Sequence, residues 1–412
     1  MKRRQFIKTG SAALGTLAVF PGWLRPARMA GSLGNSPVLV AVFLRGGADG
    51  LNVVVPYGDR DYASLRPTLA IAPPGQQDGA LDCDGFFGFH PRLTALKNIF
   101  DQGGLAAVHA CGSHNGTRSH FDAMDYMESG SSEQKLNDGW LNRYLQVSAG
   151  GEGIFRSVAL GPALPLSMAG AAQTMALSGL EALQVNESPQ MDIYLDTLKD
   201  LNTGRTDTIG RVALDALDAI AAGKGKLDPE SYQPANGADY GNGPFGLTMK
   251  AVAQTIKADV GLEVAAADLG GWDTHTNQGG GTSGELFNAL GQLDDGLSAF
   301  VTDMGSAMDH TLVLVMTEFG RTARQNGSGG TDHGHGSVMF VLGGGVRGGK
   351  VYSQWPGLSE TKLNEGRDLA VTTDFRRVFG ETLQYHMGCQ DIQSVFPGYD
   401  YMADPALHLF PG

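Results

Sequence analysis

Two stretches of the chain are apolar without a break: Val38-Leu39-Val40-Ala41-Val42-Phe43-Leu44, and Leu312-Val313-Leu314-Val315-Met316 behind Thr311. An alternating pattern marks a strand with one wet face. An unbroken run marks a strand covered on both faces, as parallel strands flanked by helices are. Apolar-rich segments at 105–110, 155–160, 262–269 and 338–342 also read as strands. Between them lie segments with helical spacing at 91–102, 121–127, 193–201, 212–222, 245–256, 284–308 and 375–387. The longest carries Leu286, Leu290, Leu293, Leu297 and Val301 on one stripe. Ser119 and Asp374 precede two of these helices as caps. Strands alternating with helices predict a right-handed α/β architecture around a mainly parallel sheet. The segment 150–243 is less regular and reads as an insertion or cap, with a surface excursion at 229–244.

The first 32 residues read as an export signal. Arg3-Arg4 is followed by Gln5-Phe6-Ile7-Lys8, a weakly apolar stretch to Leu24, and Ala30-Gly31-Ser32 as a small-residue cleavage site. Glycines and prolines interrupt the stretch, which is too short to span a bilayer of about 30 Å. The expectation is a twin-arginine signal over 1–32, recognised by its translocase, and a single mature domain over 33–412 in the periplasm or outside the cell. No later stretch is long and apolar enough for a span. A formal charge of −13 argues against a nucleic-acid partner. The three cysteines, Cys83, Cys111 and Cys389, form no disulfide framework and have no metal-ligand spacing. One bridge remains open, and the sequence does not choose the pair.

Chemistry-bearing residues gather behind the apolar runs. Leu44 leads into Arg45-Gly46-Gly47-Ala48-Asp49-Gly50, Leu269 into Gly270-Gly271-Trp272-Asp273-Thr274-His275, and Met316 into Thr317-Glu318-Phe319-Gly320-Arg321. Asp332-His333-Gly334-His335 precedes the run at 338. In open α/β sheets the ligand crevice lies at the carboxyl ends of the strands, so these residues can meet there. Carboxylates with imidazoles suit zinc or manganese better than calcium. A second group, Thr117-Arg118-Ser119-His120, opens the helix at 121, where the helix N-terminus favours an anionic ester or a developing alkoxide. Each piece has a plainer reading as well: a turn for Asp49, a surface ion pair for Glu318 and Arg321, a simple cap for Ser119.

Five segments in order resemble the bacterial family catalogued as domain of unknown function 1501. They are Leu44-Arg45-Gly46-Gly47-Ala48-Asp49-Gly50-Leu51-Asn52, Arg118-Ser119-His120-Phe121-Asp122, Gly271-Trp272-Asp273-Thr274-His275, Thr317-Glu318-Phe319-Gly320-Arg321 and Asp332-His333-Gly334. The family is grouped with the alkaline phosphatase and sulfatase superfamily. The resemblance therefore implies an alkaline phosphatase-like three-layer α/β sandwich with a metal site at the strand ends. By the same resemblance Asp49, Asp273, His275, Glu318 and His333, with Asp332 nearby, would hold one or two divalent ions. Ser119 or Thr117, beside His120, would stand at the nucleophile's place, and Arg118 or Arg321 would steady the anion. The pattern departs from the superfamily in three ways. Asp273 and His275 are closer in sequence than usual, Phe319 stands in a histidine's place, and no Cys-x-Pro-x-Arg segment is present.

Two functions follow as expectations. One is an exported metal-dependent hydrolase of a small phosphate or sulfate ester. The other is a catalytically degenerate member that binds a secreted polymer or assembles with an exported protein.

Overall fold

The computed structural model describes residues 17–20, 36–151, 153–185 and 188–411. Most of the expected export signal lies outside these residues. The strands in chain order are β1 (Leu17–Phe20), β2 (Val38–Leu44), β3 (Val54–Val55), β4 (Leu81–Asp82), β5 (Gly88–Phe89), β6 (Leu105–Gly112) and β7 (Ser157–Leu160). They continue with β8 (Thr174–Leu177), β9 (Val264–Leu269), β10 (Thr311–Thr317), β11 (Ser337–Gly343), β12 (Lys350–Tyr352) and β13 (Thr373–Asp374).

One large sheet runs in the order β1-β8-β7-β9-β2-β10-β11-β6-β12, with β13 also pairing β6. The five strands from β8 to β10 are parallel; β11 is antiparallel to both its neighbours, and β1 is antiparallel at the edge. The sheet is thus mainly parallel, as the unbroken apolar runs predict. β3, β5 and β4 form a separate antiparallel sheet.

β2 shows why the run had to be continuous. Val40, Val42 and Leu44 pack on one side with Phe245, Met249 and Leu293, while Leu39, Ala41 and Phe43 pack on the other with Trp140, Val378 and Phe379. Side chains alternate across a strand, so a strand between two helix layers needs apolar residues at every position. Helices Pro244–Lys257 and Glu285–Met304 build the first layer; Trp140–Val147 and Phe375–Glu381 build the second. The result is a three-layer α/β sandwich. The helix expected over 284–308 ends at Met304, because Gly305 takes φ +52° and the chain finishes as a 3-10 turn. The last expected helix changes after Glu381 into one π turn at Thr382–His386.

Within 150–243, β7 and β8 pair into the large sheet and helices Pro189–Asn202 and Thr208–Gly223 follow them. The excursion at 229–244 is tied down by buried Asp303, whose carboxylate accepts bonds from Tyr232 and Tyr240 hydroxyls and the Ala235 nitrogen. No helix among the described residues is long and apolar enough to cross a membrane.

Candidate metal centre

β9, β2 and β10 are adjacent and point the same way, so the loops leaving their carboxyl ends meet at one edge of the sheet. Gly46, just after β2, has φ +125°, and a Cβ there would lie 2.5 Å from the Asp273 nitrogen, so only glycine fits this crossing. Its N–H donates to Glu318 Oε1 at 2.9 Å, joining the loop after β2 to the one after β10. A bridge between Arg321 and His333 lays the segment at 332–335 alongside.

Three imidazoles gather round the Asp273 carboxylate. His120 Nε2 lies 3.5 Å from Oδ2, and the Nε2 atoms of His275 and His333 lie 3.0 and 3.2 Å from Oδ1. Ligand atoms of His120, Asp273 and His333 are all within 4.8 Å of one another. Each ring is held by its other nitrogen. Nδ1 of His120 is 2.8 Å from Glu318 Oε1, Nδ1 of His275 is 3.1 Å from Asp332 Oδ1, and Nδ1 of His333 is 2.8 Å from the Arg118 carbonyl oxygen.

A carboxylate or carbonyl oxygen only accepts a hydrogen bond. In neutral His120 and His333 the closer acceptor lies at Nδ1, so that nitrogen carries the proton and Nε2 keeps its lone pair. His275 has a carboxylate at about equal distance from each nitrogen. The Nε2 atoms converge. His275 and His333 present Nε2 to each other at 2.9 Å, and His120 Nε2 is buried without any hydrogen-bond partner. With Nδ1 protonated on all three rings, these nitrogens and the carboxylate would repel one another unless a cation stood among them; with Nε2 of His275 protonated, it donates to His333 or Asp273 instead. A ligating histidine also characteristically donates its second N–H to a carboxylate or carbonyl. The residues therefore fit a divalent cation, with imidazole nitrogens and one carboxylate as donors.

The surrounding charges act differently on each member of the cluster. The Glu318 hydrogen bond raises the His120 pKa above the ordinary imidazole value, against the effect of burial. Burial lowers that of His333. Burial pushes Asp273 upward, but the Arg321 guanidinium at 2.6 Å, with His275 and His120, outweighs it and holds the carboxyl below its usual value. For Asp332 burial is again outweighed, by Asn326 and His275, and its pKa falls.

The other residues singled out in the sequence sit around this cluster, not in it. Glu318 is fully buried and its oxygens are occupied, Oε1 by His120 and Gly46 and Oε2 by the Thr317 hydroxyl at 3.0 Å. It orients a ring instead of facing a cation. Asp49, expected among the metal ligands, is also taken up. Arg66 grips its two oxygens at 2.5 and 2.9 Å, and Gln278 Nε2 donates to Oδ2 at 2.6 Å. It reaches the cluster through a relay in which Thr331 donates to Gln278 Oε1 at 2.6 Å and contacts Arg321.

The Arg118 guanidinium binds Asp368 at 2.7 Å and Glu365 at 2.6 Å, turned away to a separate ion-pair group. Arg321 is fully buried, donating to Asp273 and to the Thr331 carbonyl. Ser119 Oγ accepts the cap bond from the Asp122 nitrogen at 3.4 Å, and Thr117 Oγ1 accepts from the Ser119 nitrogen at 3.2 Å. Phe319 forms an apolar wall, its ring centre 4.9 Å from that of His120 and 5.0 Å from that of His333. Arg66 and Gln278 escaped the sequence reading: a single arginine and a single glutamine in loops carry no periodic or spacing signal.

A family model described as "Protein of unknown function (DUF1501)" matches residues 37–396, which include every residue of the cluster. The chain belongs to the DUF1501 family. No curated protein matches this DUF1501 chain in sequence. It is similar in structure to the C-terminal periplasmic domain of EptC from Escherichia coli, solved as a complex with Zn. The identity is 10%, the TM-score is 0.34, and the match covers 79% of this chain and 77% of that one. Similarity also extends to the lipoteichoic acid synthase LtaP from Listeria monocytogenes, at 8% identity and TM-score 0.32, over 82% and 71% of the two chains. Alkaline phosphatase from the Antarctic bacterium TAB5 aligns at 9% identity and TM-score 0.31, over 75% and 92%.

Proposed function

We propose that this protein is an exported hydrolase of phosphate or sulfate esters that works with one divalent cation, zinc ahead of manganese. The convergence of the His120, His275 and His333 Nε2 atoms on Asp273 carries the reading. Imidazole-rich sets with one carboxylate favour zinc. One ion is proposed because the remaining expected ligands are occupied: Asp49 by Arg66 and Gln278, Glu318 by His120, Gly46 and Thr317. Phe319 offers no donor.

Such a cation, when bound, polarises an ester oxygen as a Lewis acid. The chain's own residues do the rest. Glu318, Asp332 and the Arg118 carbonyl keep a proton on each Nδ1, which leaves Nε2 free to bind. Arg321 balances the Asp273 charge and fixes its carboxylate. Ser119 Oγ, an acceptor in its cap bond, keeps its own proton to give up, and sits at a helix N-terminus where negative charge is favoured. Ser119 is therefore the proposed nucleophile, with Thr117 the second choice. The twin-arginine motif supports a location in the periplasm or outside the cell, and a chain exported already folded would carry along a metal bound beforehand.

The test is elemental analysis of the purified mature protein together with hydrolysis of an aryl phosphate and an aryl sulfate. About one zinc or manganese per chain and turnover lost in His333→Ala are expected. Absence of bound metal with melting unchanged by a chelator would sink the proposal. Arg321 favours a second reading, since its guanidinium already lies 2.6 Å from Asp273 and supplies positive charge there. On that reading the protein is a metal-free binder of a secreted polymer or exported partner, and metal analysis separates the two.

A further inference from the structure

Beside the metal centre lies a groove of about 540 Å3 whose rim carries charges of both signs. It shares two residues with the centre. Asp332 Oδ1 lies 3.1 Å from His275 Nδ1, and Arg367 Nη2 donates to the His333 carbonyl oxygen at 2.7 Å. Arg324 is exposed and makes no side-chain bond to any neighbour; Asp61 and Glu360 stand on the same rim. Among the described residues no ion pair joins either arginine to Asp61 or Glu360, so opposite charges face the same space without closing on one another. Half-buried Leu363 adds a small apolar surface, while Leu65 and Leu358 lie buried beneath the floor.

Each ligand class meets this rim differently. A strongly anionic tail would be repelled by Asp61, Glu360 and Asp332, and a cationic one by the arginines. A hydroxyl needs an acceptor and a donor together, which such a mixed rim supplies, while Leu363 suits the C–H face of a carbon ring. We propose that the groove binds the neutral, hydroxyl-rich part of the substrate, so that the ester processed at the centre is carried on a sugar or polyol. This rests on the hydrolase reading for the ester, whereas binding in the groove is measurable without turnover.

The experiment uses the full mature protein with and without added zinc. One arm titrates glucose, galactose, mannose and myo-inositol by calorimetry; the other runs native gels containing dextran, galactan or mannan. Binding in at least one arm is expected, and the arm that responds tells a small polyol from a polymer. It should weaken fivefold or more in Arg324→Ala and in Glu360→Gln, with melting unchanged. Both residues are exposed, so the variants should fold. No binding in either arm, or binding indifferent to both variants, overturns the proposal. Binding that persists while metal and turnover are absent removes the hydrolase reading and leaves the groove assignment standing.

Discussion

His120 is held by Glu318 through Nδ1 at 2.8 Å, while its Nε2, 3.5 Å from Asp273, is buried with no partner. Glu318→Gln keeps the size of the side chain but removes the charge that fixes the imidazole. Loss of such an outer carboxylate weakens metal affinity by about 10- to 100-fold. Competition against a chromophoric chelator should show a drop in that range; unchanged affinity would mean that His120 is not a ligand.

The same bond sets a pH dependence. His120 has a raised pKa, so its proton competes with a cation, and metal affinity should climb as pH rises through that value. The stability of the metal-free protein should move oppositely. The His120 contribution is complete below the unfolded imidazole pKa of about 6.5 and fades as pH rises through the raised folded one. Asp273 has a lowered pKa, so its contribution is present above the usual carboxylate value and lost as pH falls through the folded one. Melting curves across pH, with and without zinc, read both signs.

Asp49 and Arg66 are completely buried against each other. Arg66→Met strands a buried carboxylate and should cost about 3–5 kcal/mol in urea unfolding. Asp49→Asn should destabilise the protein too, yet leave metal content unchanged. If Asp49→Asn loses the metal while keeping its stability, the aspartate is a ligand after all.

Gly46→Ala tests the loop crossing. A Cβ 2.5 Å from the Asp273 nitrogen, at φ +125°, forces the two loops apart. Strain at such a backbone position costs about 1–3 kcal/mol. Metal content should fall with stability, whereas Gly75→Ala, with nothing within 4 Å, should lose only its share of backbone strain and keep the metal.

The sheet was legible in the sequence wherever burial on two faces leaves no polar residue, as in β2 and β10. β8 was not, because it is short and sits in mixed sequence rich in alanine and glycine, and neither was β3, whose two residues show no period. Clustering at the strand ends was also legible: Asp273, His275 and His333 do meet. What the sequence could not show is which carboxylate stands among the imidazole Nε2 atoms and which hold the rings from behind or pair elsewhere. Glu318 and Asp49 look alike in sequence, and only their partners, His120 and Arg66, separate their roles. The arginines show the same dependence on partners, the Arg118 guanidinium standing against Asp368 and Glu365 and that of Arg321 against Asp273.

The residues round Asp273 come from positions 120, 273, 275 and 333, and Cys83, Cys111 and Cys389 are all free. A cation held there would tie helix His120–Ser129 to two loops far along the chain, closing loops much longer than most disulfides do. The entropy removed from the unfolded chain by a cross-link grows with the length of the loop it closes. In a molecule without covalent staples, the ion would thus act as a removable clasp, and stripping it would make the whole sandwich easier to open.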